Sequence, residues 1–174
     1  YEKWRKHVLS FGLGKRLGSD ISHEKGGQIP TIRFYNKWYG ENQWKNSTIQ
    51  SNAIGQGELL VVPIQMANLA AIIANKGHYY IPHTIKSIGD STHKLQKFLE
   101  KQHTTIDSSH FQLVHDAMED VVNAGTARRA FHKDIKICGK TGTAQNPHGE
   151  DHSCLLYTSP SPRCLLYTSP SPRD

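Results

Sequence analysis

The chain has 174 residues, 36% of them hydrophobic, which suits a single globular core and excludes an intrinsically disordered polymer. Its formal net charge of +6 is spread along the sequence. The densest basic run, Lys94 to Lys101, also holds Glu100 and apolar residues, so it reads as a solvated helix face rather than a nucleic-acid surface.

In chain order, Trp4 and Val8 lie four apart, as in a short helix that Gly12 and Gly14 stop. The opening YEKWRKHVLS lacks the charged-then-apolar pattern of an export signal. Lys15 to Gly57 is turn-rich and carries Trp38, Tyr39 and Trp44; it reads as a long irregular region that walls a functional site. Leu59 to Asn75 is apolar but interrupted by Pro63, Gln65 and Asn68, which excludes a membrane span. It predicts a helix with Pro63 at its first position, Met66, Ala70 and Ile73 on one face, and Gly77 at its end. Tyr79 to Ile88 reads as extended chain with Pro82 on an edge.

A second helix is predicted over Ser108 to Asn123, with Phe111, Val114, Met118 and Val121 or Val122 on its apolar stripe. Ser108 or Ser109 is its cap and Gly125 its terminator. Ile135 and Ile137 then alternate with Lys136 and Cys138, as in a strand with one buried face that puts Lys140 and Gly142 on the other. Gln145 to Asp151 reads as a hairpin turn built on Asn146-Pro147 and Gly149.

The end of the chain is of another kind. Cys154 to Arg163 reads CLLYTSPSPR, and Cys164 to Arg173 repeats it without a change. The unit is too short for a solenoid repeat, its Ser-Pro pairs favour extended polyproline-type chain, and it reads as a translated sequencing-library adapter. The expected organisation is therefore a partial domain over residues 1–153, lacking its nucleophile half and last strands, and a non-native tail over 154–174 whose CLLY is able to pair spuriously with a strand left without neighbours. Setting the tail aside leaves Cys138 alone, a small buried hydrophobe with no disulfide partner.

The chemistry turns on Gly139-Lys140-Thr141-Gly142-Thr143. A phosphate-binding loop needs a glycine five residues before its Gly-Lys-Thr, where this chain has Asp134, and the intervening Ile-Lys-Ile-Cys favours a strand over a loop. Lys-Thr-Gly is also an active-site motif of serine acyl-transfer enzymes of the penicillin-binding type. There the lysine supplies charge and a proton path, the threonine hydroxyl meets the substrate carboxylate, and the glycine leaves room for a peptide along the strand. The amide of the following residue faces the developing oxyanion.

Several ordered blocks accompany the motif: FGLGKRLGSDISHEKGGQIPT (Phe11 to Thr31), WYGENQW (Trp38 to Trp44), SNAIGQGELLVVPIQMANLAAIIANKGHYYIPH (Ser51 to His83) and MEDVVNAGTARRA (Met118 to Ala130). Together they resemble class B penicillin-binding proteins of the elongation type over nearly all of Tyr1 to Ser153. The resemblance implies part of an α+β transpeptidase domain of the serine β-lactamase-like fold, an antiparallel sheet with helices on its faces. It implies a peptidoglycan D,D-transpeptidase, held at the inner membrane with this domain in the periplasm. Its serine attacks the penultimate D-alanine carbonyl of a stem peptide, expels the last D-alanine and passes the acyl group to a neighbouring amine. β-Lactams trap that serine. Carried onto this chain, Lys140 is the catalytic lysine, Thr141 and Gly142 bind substrate, and Thr143 lends its amide to the oxyanion hole. Stem peptides, β-lactams and the cell-elongation machinery are the implied partners; no nucleic acid, metal or organic cofactor is implied.

The family's other two motifs are a different matter. Ser22-His23-Glu24-Lys25 has S-x-x-K spacing, but Gly26, Gly27 and Pro30 follow at once and would break the helix that the nucleophile needs. The corresponding family block is a loop, and no S-x-N occurs in the chain. The nucleophile is therefore expected upstream of Tyr1, and the chain by itself is expected not to acylate. A β-lactam-sensing domain of the same fold and a serine β-lactamase are the alternatives. His148 and His152 flank an acidic turn without the helical H-E-x-x-H that a zinc protease uses, and Arg128 and Arg129 read as solvated.

Overall fold

The computed structural model describes residues 1–86, 89, 96–144, 150, 152–158 and 165–170. The chain forms two compact units, Tyr1–Gln65 with Tyr80–Thr105, and Met66–Tyr79 with Ile106–Asp174. Helices with small antiparallel strands make the fold α+β, as expected.

In the first unit, α1 covers Glu2–Ser10. The stretch expected to be irregular instead holds two helices, α2 over Ile32–Tyr39 and α3 over Asn46–Ala53. Its aromatics explain the correction. Phe34 and Tyr35, then Trp38 and Tyr39, recur at helical spacing, Thr31 accepts a bond from the Phe34 amide as a cap, and Gly40 ends the helix at φ 92. Tyr35 is fully buried, with the Trp44 ring stacked 5.4 Å away and the Tyr1 ring edge-on at 5.7 Å. Such pairs add about 0.5–1.5 kcal/mol each beyond the area they bury. The Tyr35 and Tyr39 hydroxyls both donate to Glu58, and these bonds hold its carboxyl below the ordinary range.

The loop between α1 and α2 is ordered by side chains acting on backbone. The Glu24 carboxylate accepts the amides of Leu17, Gly18 and Ser19 at 2.8, 3.0 and 3.2 Å. Gln65, fully buried, donates to the carbonyls of Lys15 and Gly26 at 2.7 and 2.8 Å and accepts from the Val62 amide at 3.2 Å. Gly27, at φ +66, lies so close to the Leu60 carbonyl that a Cβ would sit 2.2 Å from its oxygen. A short helix α5 (Gln96–Leu99) buries Phe98, on which the His83 ring stacks at 4.3 Å, and β2 (Gln102–His103) follows.

Helix α4 spans Pro63–Ala74 and starts at the predicted proline. Its most buried residues in the second unit are Asn68, Ala70 and Ile72; Met66 and Ile73, expected beside Ala70 on the core face, are half-buried. The helix is apolar nearly all round, so no single stripe dominates. The extended segment after it yields a strand, β1, only over His78–Tyr79; Ser87 and Ile88 lie outside the described residues.

Helix α6 covers His110–Asn123 and buries Phe111, Met118 and Val122. Val114, placed on the stripe by sequence, is 41% exposed, and half-buried His115 takes its place, its Nε2 2.7 Å from the Ile73 carbonyl oxygen. The buried line thus runs 111, 115, 118, 122, in steps of four, three and four. Ser109 precedes the helix without capping it: Asp107 accepts from both its amide and its hydroxyl, because Ser109 already has helical backbone angles. Strands β3 (Cys138–Ala144), β4 (His152–Thr158) and β5 (Leu165–Pro170) then form one antiparallel sheet in the order β3-β4-β5. The duplicated tail supplies most of β4 and all of β5, the pairing open to CLLY in the sequence, since CLLYT is apolar and β-prone ahead of its prolines. Of the turn predicted over Gln145 to Asp151, all but Glu150 lies outside the described residues. Among the described residues no helix is long and apolar enough to cross a membrane.

Replacing Gln65 by Leu keeps its bulk but strands two carbonyls and an amide in the interior. We expect Gln65→Leu to lower unfolding stability by about 3 kcal/mol, read from the urea midpoint, since each buried unpaired polar group costs about 1–3 kcal/mol. A midpoint unchanged from the parent would show that water reaches these groups.

Candidate functional site

The strand β3 begins three residues later than its alternating isoleucines suggest. Ile135 is 47% exposed and closes a small bridge to His132, where the Asp134 amide donates to His132 Nδ1 at 3.2 Å. This turn holds Asp134 to Lys136 off the sheet. From Cys138 the chain is extended and continues through Thr143 to Ala144. A phosphate loop would curl before Lys140 and enter a helix after Thr141, so that reading is excluded.

The register sets Lys140 opposite Leu156, Thr141 opposite Leu155, Gly142 opposite Cys154 and Thr143 opposite Ser153. Side chains alternate from this. Gly139 is buried, Lys140 exposed, Thr141 half-buried, and Gly142 and Thr143 exposed. Lys140 turns its ammonium onto the Thr141 carbonyl at 2.7 Å. The Thr141 hydroxyl lies 2.9 Å from that of Thr126, in the turn after α6, and α6 packs along β3. A Cβ at Gly142 would meet nothing within 4 Å, so no atom of the described chain requires glycine there. The four motif residues thus sit on one continuous strand, and Thr126, which no spacing rule singles out, joins them.

Beside the strand, Lys136 pairs with Glu119 at 3.2 Å, and Cys138 is half-buried. Burial, then the Glu119 charge, pushes the Cys138 thiol above its ordinary 9.0. Among the described residues the cysteines Cys138 and Cys154 are free. No group of three or more metal-ligating side chains occurs among the described residues; His148 lies outside them. Arg128 and Arg129 lie exposed in a short 3-10 turn, Arg128–Ala130.

Ser22 is exposed in a turn, not at a helix start, because Glu24 of the same tetrapeptide is committed to the Leu17–Ser19 amides. A second S-x-x-K, Ser91 to Lys94, lies outside the described residues.

An α+β fold with a Lys-Thr-Gly strand backed by a helix is the pattern of a penicillin-binding type of domain. Residues 1–158 match the penicillin binding protein transpeptidase domain, and the chain belongs to that family. It is 31% identical over 150 residues to the peptidoglycan D,D-transpeptidase MrdA of Acinetobacter baumannii, covering 83% of this chain and 22% of that protein. It is likewise 31% identical over 140 residues to MrdA of Escherichia coli, covering 78% and 22%. The chain therefore spans about a fifth of the length of these relatives. Among solved structures, Pseudomonas aeruginosa PBP2 in complex with WCK 5153 aligns at a TM-score of 0.75 and 27% identity, over 92% of this chain and 36% of that one. Helicobacter pylori PBP2, from its complex with MreC, shares the fold at 0.75 and 24% identity, over 96% and 30%.

The Cys138 thiol gives a measurable pH signature. Its pKa is raised, so the thiolate forms later than in a free cysteine, and alkylation of Cys138 followed by peptide mapping is expected to reach half its maximal rate above pH 9.0. In urea the midpoint is expected to fall back to the ordinary value; a native midpoint at or below 9.0 would contradict the burial argument.

Proposed function

We propose that this chain carries the substrate-side strand of a peptidoglycan D,D-transpeptidase that works through a serine acyl-enzyme and is trapped by β-lactams. The observation that carries the reading is the continuous strand Cys138–Ala144, with Lys140 exposed and Gly142 uncrowded, in a chain of this family. In it Lys140 supplies positive charge and a proton path, and Thr141 donates its hydroxyl to the substrate carboxylate. A stem peptide lies over Gly142, and the Thr143 amide stabilises the oxyanion as the acyl-enzyme forms and breaks. The serine is supplied from outside these residues, so the chain alone does not acylate. The whole protein works at the inner membrane, with this domain in the periplasm, on stem peptides and alongside the cell-elongation machinery. The last of these is supported by the solved PBP2–MreC complex of a structural neighbour. Residues 154–174 replace the native continuation, a reading supported by the unchanged repeat.

Fluorescent penicillin tests the core of this. The 174-residue chain is expected to stay unlabelled, while the full-length product of the native locus is labelled at a serine outside this sequence. Covalent label on Ser22 or Ser91 would overturn the assignment, as would a native locus without S-x-x-K and S-x-N codons in frame upstream. Sequencing that locus also decides whether CLLYTSPSPR belongs to it.

A further inference from the structure

We infer that Thr126 is a positioning residue for Thr141: it fixes which way the Thr141 hydroxyl points and so its grip on a substrate carboxylate. The inference rests on the reading of Thr141 proposed above. Its basis is the 2.9 Å contact between the two hydroxyl oxygens. A threonine hydroxyl has one proton and two acceptor sites, so in this pair one partner must donate. A carboxylate only accepts. When Thr141 gives its proton to a carboxylate, Thr126 is therefore the donor within the pair, and its bond aims the Thr141 oxygen while leaving the Thr141 proton available.

Both partners are held in place by other contacts. The amides of Ala124 and Gly125 both donate to the Asp120 carbonyl, at 2.9 and 3.1 Å, and the Ala127 amide donates to the Val121 carbonyl at 3.0 Å. Ala127 is 5% exposed, and a Cβ on Gly125 would come within 2.9 Å of the Val121 backbone. Exposed Thr126 is thus carried between two pinned neighbours on a turn that has no room to slide. Thr141 is fixed by the ladder to Leu155 and by Lys140 on its carbonyl. What remains free at Thr141 is rotation about χ1, and Thr126 is the group that restrains it. A mere surface tether between the α6 turn and β3 would make the same contact but would leave carboxylate selectivity alone.

Two measurements separate these. In this chain, three-bond couplings to the Thr141 methyl are expected to report one χ1 rotamer in the parent and in Thr126→Ser, and averaging in Thr126→Val. A single Thr141 rotamer in Thr126→Val overturns the inference. In the full-length protein, acylation by benzylpenicillin is compared with acylation by its methyl ester, which lacks the carboxylate charge. Thr126→Val is expected to reduce the acid-over-ester preference about three- to tenfold, the loss of one hydrogen bond, with Thr126→Ser retaining it. Thr141→Val is expected to reduce it at least as far, and the double variant no further. A preference lowered by Thr141→Val but untouched by Thr126→Val sinks the inference alone. A preference that survives Thr141→Val sinks the reading of Thr141 and the inference with it.

Discussion

A strand can present an active-site motif only if its own backbone is satisfied, and in β3 that constraint governs everything around it. β4 answers β3 residue by residue in antiparallel register, from Cys138 opposite Thr158 to Ala144 opposite His152. The pairing fixes the pleat, and the pleat decides that Gly139 turns inward while Lys140 turns out. A slip of one residue would exchange them and carry the lysine into the protein. The geometry of Lys140, Thr141 and Gly142 is thus a property of the ladder before it is a property of their side chains. In this chain His152–Thr158, which includes CLLYT, is the partner in that ladder.

The same motif strand is steadied from its other side by helix packing. The buried face of α6 ends at Val122, and the turn after it bends back tightly because Gly125 has no Cβ to strike Val121. That bend brings Thr126 to Thr141. Strand register and helix termination are therefore one problem for this sequence.

The parts of the fold legible in the sequence were those whose signals are periodic and punctuated: α4 behind Pro63, α6 before Gly125, and the strand through Lys140. The helices α2 and α3 were hidden because their polar and aromatic residues, set among glycine-bearing turns, imitate loop composition; the decisive information for α2 was a capping threonine and the mutual packing of Tyr1, Tyr35 and Trp44. Val114 was misplaced because a stripe of apolar letters passes over His115, whose ring is accommodated inside by one hydrogen bond. Ser22 illustrates the opposite limit. Its spacing matched a catalytic tetrapeptide, yet Glu24 spends that segment's chemistry on three backbone amides. The four motif residues were readable as a set, while the Thr126 contact needed the fold to reveal it.

Gln65 joins loops that are far apart along the chain: its bonds to Gly26 and Lys15 span 39 and 50 positions. Closing such distances costs chain entropy before any contact offsets it, so contacts of this range form late and slowly compared with those inside helices. The segment from Lys15 to Gly26 is for that reason latched by a residue that reaches it only after much of the first unit has collapsed. During synthesis, the loop emerges dozens of residues ahead of its latch and must wait, unsecured, for α4 to begin.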